Sequence, residues 1–269
     1  MKQKQFLTVV SRDEAEGRFR AAVPFAPLAA EPCALESLLG RVLAAEVKAP
    51  IDVPGFTRSN MDGFAVRAAD TYGADEENPA TLRLNAEVLA TGVEPALEVA
   101  PGTATPIATG AVVPRGADAV VMVEDTDAEG DRLEVRRPVV PGANLAAAGS
   151  DIARGELVLR PGDLLSSRET GMIAALGLTG VEVVRRPRVV LFSTGDEVVA
   201  PGETLRDGFI YDSNGRILAD AIREAGGEPI DRGIIRDDEG ALRAELDRAL
   251  DEGDLVLFSG GTLSLIHIS

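Results

Sequence analysis

From Arg188 onward the chain alternates two periodicities, and that alternation restricts the possible fold more than any other feature of it. RVVLFSTGDE is a continuous apolar, β-branched run closed by Gly195 and two acids. NGRILADAIREAGG then places apolar residues at helical spacing before a glycine stop. EPIDRGIIRDD is a second strand, EGALRAELDRALDEG a second helix and DLVLFSGG a third strand. Apolar strands joined by helices call for a parallel sheet covered on both faces.

Upstream, the pattern changes. Ser11-Arg-Asp-Glu14 has the form of a capping box, which predicts a helix to about Ala22, stopped by Pro24 and Pro27. Leu38 to Leu43 and the following AAEVKAP predict a short helix and then a strand. From Phe64 to about Val140, the runs FAVR, LRLNAEVLA, TATPIATG, DAVVMVEDT and RLEVRRPVV are separated by Gly, Pro, Asp and Asn, which predicts a small all-β unit. Arg160-Pro-Gly-Asp163 is a turn, and SSRETGMIAALG a helix ending at Gly177. The expected fold class is α/β multidomain. A mixed α+β domain (1–50 with 142–186) carries an inserted all-β domain (51–141), and a parallel α/β domain follows (187–262).

Composition removes several functions. With 45% hydrophobic but only 4% aromatic residues and no Trp, the core must be aliphatic and base-stacking platforms are not expected. Lys plus Arg number 27 against 44 Asp plus Glu, a net charge of −17, which argues against nucleic acid as a partner. The single cysteine, Cys33, permits no internal disulfide and reads as core packing. The N-terminal residues lack the apolar stretch of a signal peptide or membrane anchor, so a cytoplasmic location without membrane attachment is expected. One histidine, His267, excludes a two-His metal site, and neither a Walker A loop nor G-x-G-x-x-G is present.

In open α/β sheets, ligands bind beyond the carboxyl ends of the strands. Ser193-Thr-Gly195 and Ser259-Gly-Gly-Thr262 are two such ends, both hydroxylic and glycine-containing, able to cradle an anion or simply to turn the chain. Asp196 and Glu197 are candidate ligands of a hard cation such as Mg²⁺, though adjacent acids are also ordinary solvated surface. Asp212 or Ser213 caps the helix that follows, and Asp238 reads as another cap, with Asp237 left open. In the β-rich region, PGFTRSNMDGFAVR surrounds Asp62 with turn formers. It is either a hairpin turn with an idle carboxylate or a rigid loop presenting that acid to a ligand. Thr109-Gly110 can donate to an oxyanion or merely form a turn, and Asp151 has a similar standing.

PGFTRSNMDGFAVRAAD, ATGAVVPRGADAVVMVEDT, LFSTGDEVVAPGE, IYDSNGRIL, GIIRDD and LFSGGT occur in that order between residues 54 and 262, within a likeness that spans about residues 12 to 262. Together they resemble the molybdopterin molybdenumtransferase family, that of MoeA and the gephyrin E-domain. The resemblance implies insertion of molybdate into adenylylated molybdopterin with release of AMP, assisted by Mg²⁺, in molybdenum cofactor biosynthesis. It implies a homodimer whose active site joins the α/β domain of one subunit to the β-rich domain of the other, with molybdopterin adenylyltransferase as the pathway partner. By motif, Asp62, Thr109, Asp151 and Glu197 would be catalytic. Ser193, Thr194, Gly195, Asp212, Ser213, Asp237, Asp238, Ser259, Gly260, Gly261 and Thr262 would bind substrate, and Asp196 with Glu197 the metal. The alternatives are a gephyrin-like scaffold and a standalone molybdopterin-binding or adenylylating module.

After SGGT the chain departs from the family pattern and ends LSLIHIS, which resembles a translated sequencing adapter. Leu263 to Ser269 are therefore expected to be foreign sequence on a truncated α/β domain, with the whole gene product an enzyme and the 269-residue chain inactive.

Overall fold

The computed structural model describes residues 10–23 and 26–260. Among them lie four α-helices, α1 (Arg12–Ala22), α2 (Ser167–Ala175), α3 (Asn214–Glu224) and α4 (Glu239–Glu252). The chain divides into two compact units: Met1–Ala44 with Leu164–Ser166 and Val181–Ser269, and Ala45–Asp163 with Ser167–Gly180. No helix among the described residues is long and apolar enough to cross a membrane.

The second unit is built on one six-stranded sheet. Its strands are β1 (Gly63–Val66), β2 (Ala80–Leu84), β3 (Thr103–Ile107), β4 (Ala119–Met122), β5 (Thr126–Glu129) and β6 (Arg132–Val135), in the order β4-β1-β3-β2-β6-β5. Neighbours are antiparallel except β2 and β3. Alternation along β1 sends Phe64 and Val66 into one core with Leu82, Val121 and Leu133, and Ala65 into another with Leu89, Ile107 and Val120. A fully buried aliphatic side chain such as Leu133 contributes about 2 kcal/mol by leaving water. The DAVVMVEDT run, expected as one strand, is broken at Val123–Asp125 by a 3₁₀ turn. The chain then pairs β5 with β6 across Gly130, whose φ of 62° suits the tight connection.

The first unit carries the parallel sheet. β7 (Arg188–Thr194) lies between β8 (Glu228–Ile235) and β9 (Leu255–Ser259), all three parallel. Val189 and Leu191 face Ala219 and Ile222 of α3. On the opposite face Val190 reaches Gly253 at the end of α4, so closely that a Cβ there would lie 2.8 Å from its methyl. Each face of the sheet thus packs against a helix, as the alternating pattern requires, although Leu255 and Phe258 of β9 stay exposed. Asp254 ties the strand starts together, accepting from both terminal nitrogens of Arg185 at 2.9 and 2.8 Å and from the Arg188 amide at 2.7 Å.

Two local expectations change. Ser11 caps α1 by accepting from the Glu14 amide at 3.2 Å, but the Glu14 carboxylate binds Arg18, so the reciprocal half of the capping box is replaced by an ion pair. The helix expected over Leu38–Leu43 is a 3₁₀ turn at Leu35–Ser37. Gly40, at φ 73°, breaks it and donates to the Leu165 carbonyl, while Val42 and Leu43 bridge to Leu164 and Val183. Burial of both Leu38 and Leu43 favours this crossing over a helix that would turn one of them outward.

Candidate functional site

In the second unit the segment from Val53 to Gly63 is laced to two others. Ser59 exchanges backbone bonds with Ala111 and Gly110 and pairs with Leu145, while Val53 accepts from the amides of Asp151 and Ile152. The Ser59 hydroxyl donates to the Met61 carbonyl at 2.6 Å, which shapes the loop before Asp62. Asp62 Oδ1 accepts from the Thr109 amide at 2.7 Å and from its hydroxyl at 2.8 Å. These two bonds hold the Asp62 carboxyl below the usual carboxylate range, the amide bond contributing most.

Asp62 is therefore not the idle acid of a hairpin turn. Gly63 begins a central strand, and a Cβ there would sit 1.9 Å from the Val121 carbonyl oxygen, so the glycine answers a close backbone approach. The donors of Thr109, offered in the sequence to an oxyanion, are already given to Asp62. Asp151 is exposed, with the Ser150 hydroxyl 3.3 Å from its Oδ1. The structure thus joins Asp62 directly to Thr109, and Asp151 to the same segment through its backbone at Val53.

In the first unit the strand order β8-β7-β9 makes the chain leave β7 in one direction for β8 and return past it to β9. Such a reversal opens a crevice between the carboxyl ends of β7 and β9. A cleft of about 60 Å³ lies there, lined by Ser193, Thr194, Ser259 and Gly260 from the strand ends and by Tyr211, Asp212, Ser213 and Asn214 at the start of α3. Ser193 is buried and its hydroxyl has no hydrogen-bond partner among the described residues.

The start of α3 lies close over this hydroxyl because residue 215 is glycine: a Cβ there would meet Ser193 Oγ at 3.3 Å and Asp212 Oδ2 at 2.7 Å. Asp212, rather than Ser213, caps the helix, accepting from the Gly215 amide at 2.9 Å. Asp238 caps α4, accepting from Ala241 at 2.8 Å, and Asp237 is exposed beside it. Gly195 has φ 144° and leaves room for the Glu197 carboxylate, 2.9 Å from its Cβ position. Asp196 is exposed and Glu197 half-buried. Gly261, Thr262 and the tail 263–269 lie outside the described residues. Sequence reasoning did not single out Tyr211, Asn214 or Gly215, although the IYDSNG run held them.

Comparison with known proteins now bears on these two clusters. Residues 10–177 match the family described as the MoeA N-terminal region (domain I and II). The chain belongs to the MoeA family. Residues 190–262 match a second description, "Probable molybdopterin binding domain". The molybdopterin molybdenumtransferase 2 of Mycobacterium tuberculosis is 42% identical over 82% of this chain and 55% of its own length. The molybdopterin molybdenumtransferase of Bacillus subtilis is 35% identical over 85% and 54%. The chain therefore spans about half the length of the curated relatives it matches. Among solved structures, the molybdopterin biosynthesis MoeA protein of Pyrococcus horikosii is similar with a TM-score of 0.84 at 39% identity, over 94% of this chain and 64% of that one.

Proposed function

We propose that the protein serves molybdenum cofactor biosynthesis as a molybdopterin molybdenumtransferase, inserting molybdate at the dithiolene of adenylylated molybdopterin with release of AMP. The observation that carries the substrate half of this reading is the buried Ser193 hydroxyl, without a partner among the described residues, in a hydroxyl-lined cleft at the strand reversal. A buried polar group without a partner is costly, and an anionic ligand oxygen would satisfy it. Ser193, Thr194, Ser213 and Ser259 would then donate to the substrate, while Asp212 fixes the helix start whose amides face it. Gly195, Gly260, Gly261 and Thr262 would let its backbone come close, and Asp237 and Asp238 would border the site.

Asp62, Thr109 and Asp151 belong to one unit and Glu197 to the other. We assign all four to the reaction, in a homodimer whose second copy completes each site. The Asp62–Thr109 clamp would keep that acid ionised and immobile. The protein would work in the cytoplasm, downstream of a molybdopterin adenylyltransferase, with 51–141 as an inserted β domain.

Magnesium fits the residues present, with limits. Among the described residues no three Asp, Glu, His or Cys side chains converge on one point, so no all-protein cage exists. One or two carboxylates plus substrate oxygens suffice for Mg²⁺, and Asp196 with Glu197 are the acids that would hold it. Its charge would offset repulsion between these acids and the anionic pterin.

The test is binding of adenylylated molybdopterin, followed by pterin fluorescence. Ser193→Ala removes an unsatisfied hydroxyl, so it is expected to raise stability by up to about 1 kcal/mol while weakening binding about tenfold. Absence of binding, or unchanged affinity in the variant, overturns the reading.

A further inference from the structure

At the opposite edge of the same parallel sheet lies a second cleft, of about 490 Å³. β7 begins at Arg188 and β8 at Glu228, so this cleft is at the amino-terminal ends of the strands, away from the hydroxyl-lined one. Three guanidiniums, Arg41, Arg186 and Arg223, line it together with Ser37, Glu228 and the corner at Gly227. Glu31 and Asp220 pair with Arg41 and Arg223, so in a chain of net charge −17 the uncommitted positive character of this cleft comes from Arg186 and the remaining donors of Arg223.

The arginines differ in how far they are committed. Arg41 is pinned: its terminal nitrogens bind Glu31, the Val184 carbonyl and Cys33 Sγ, and its Nε is buried without a partner among the described residues. Arg223 gives one nitrogen to Asp220 at 2.8 Å and keeps its other donors. Arg186 has no side-chain partner among the described residues. The C-terminus of α3 also points here, and bare carbonyls would repel an anion. Three of them are occupied: Ala221, Ile222 and Arg223 already accept from the amides of Ala225, Gly227 and Gly226.

From this arrangement we infer that the amino-terminal edge of the sheet binds a phosphate-bearing small molecule of about mononucleotide size. Arg186 and Arg223 take the phosphate, for which guanidinium forks are geometrically suited. Arg41 stands behind them as a fixed charge, and Glu228 accepts a hydroxyl or amine hydrogen from the organic part. The volume exceeds what inorganic phosphate alone needs and lies within the range of small-molecule sites. The inference does not depend on the reaction proposed above.

Calorimetric titration of the full chain tests it, at low ionic strength with chelator present and with AMP and pyrophosphate as separate probes. Saturable binding is expected for both, with AMP at least as tight. Arg186→Ala and Arg223→Ala are each expected to weaken it about tenfold or more. Both side chains are exposed, so the melting temperature should hold. Ser193→Ala, which alters the other cleft, should leave this affinity unchanged. Three results overturn the inference: no binding of either probe, equal binding by the double arginine variant, or loss in Ser193→Ala with retention in the arginine variants. Binding of pyrophosphate without AMP overturns the organic part.

Discussion

At the scale of single residues, two carboxylates show how geometry sets charge. Asp62 is lowered first by the Thr109 amide and then by the Thr109 hydroxyl. Thr109→Val keeps the amide and removes the hydroxyl, so Asp62 should titrate nearer the ordinary carboxylate value without reaching it, as read by carboxyl NMR. An unmoved titration would refute the clamp. Because the folded value lies below the unfolded one, the clamp's contribution is complete above the ordinary carboxylate value of 3.8 and disappears as pH falls through the folded value. Asp254 is drawn down to about 2, first by Arg185 and then by the Arg188 amide. Asp254→Asn should cost about 1 kcal/mol at neutral pH, seen as a lower urea midpoint. That difference should shrink between pH 3.8 and about 2, where the native acid is itself protonated.

At the scale of elements, the sheet of the second unit depends on a missing side chain. Gly63→Ala puts a Cβ 1.9 Å from the Val121 carbonyl oxygen, a clash with backbone that no rotamer relieves. Loss of β1–β4 pairing should destabilise the protein by about 3 kcal/mol or more, measured by urea unfolding. Helices α3 and α4 and strands β7 to β9 were legible because each joins a clear periodicity to a cap or glycine stop. The short pairings were not: Arg58–Ser59 meets Leu145–Ala146, and Val47–Lys48 meets Leu157–Leu159. The strand expected over AAEVKAP is there at Val47–Lys48, but two or three residues carry too little pattern to say which strand they meet, and their partners lie about a hundred residues away.

At the scale of the whole molecule, 44 acids against 27 basic residues leave a self-repulsion that opposes compaction. Raising ionic strength to about 0.15 M, where charges are screened beyond about 8 Å, should therefore raise the melting temperature; a fall would mean that the local ion pairs outweigh the net charge. By itself the sequence determined the α/β class, the main elements and the family, because periodicity, caps and ordered motifs are local properties of the chain. It also held the acids and hydroxyls of the candidate site as separate runs. Only the tertiary structure decided that Asp62 holds Thr109, 47 residues distant, that Ser193 is buried without a partner among the described residues, and that Arg41, Arg186 and Arg223 share a cleft. Those meetings follow from chain closure and packing, where each contact depends on the whole fold rather than on its own residues.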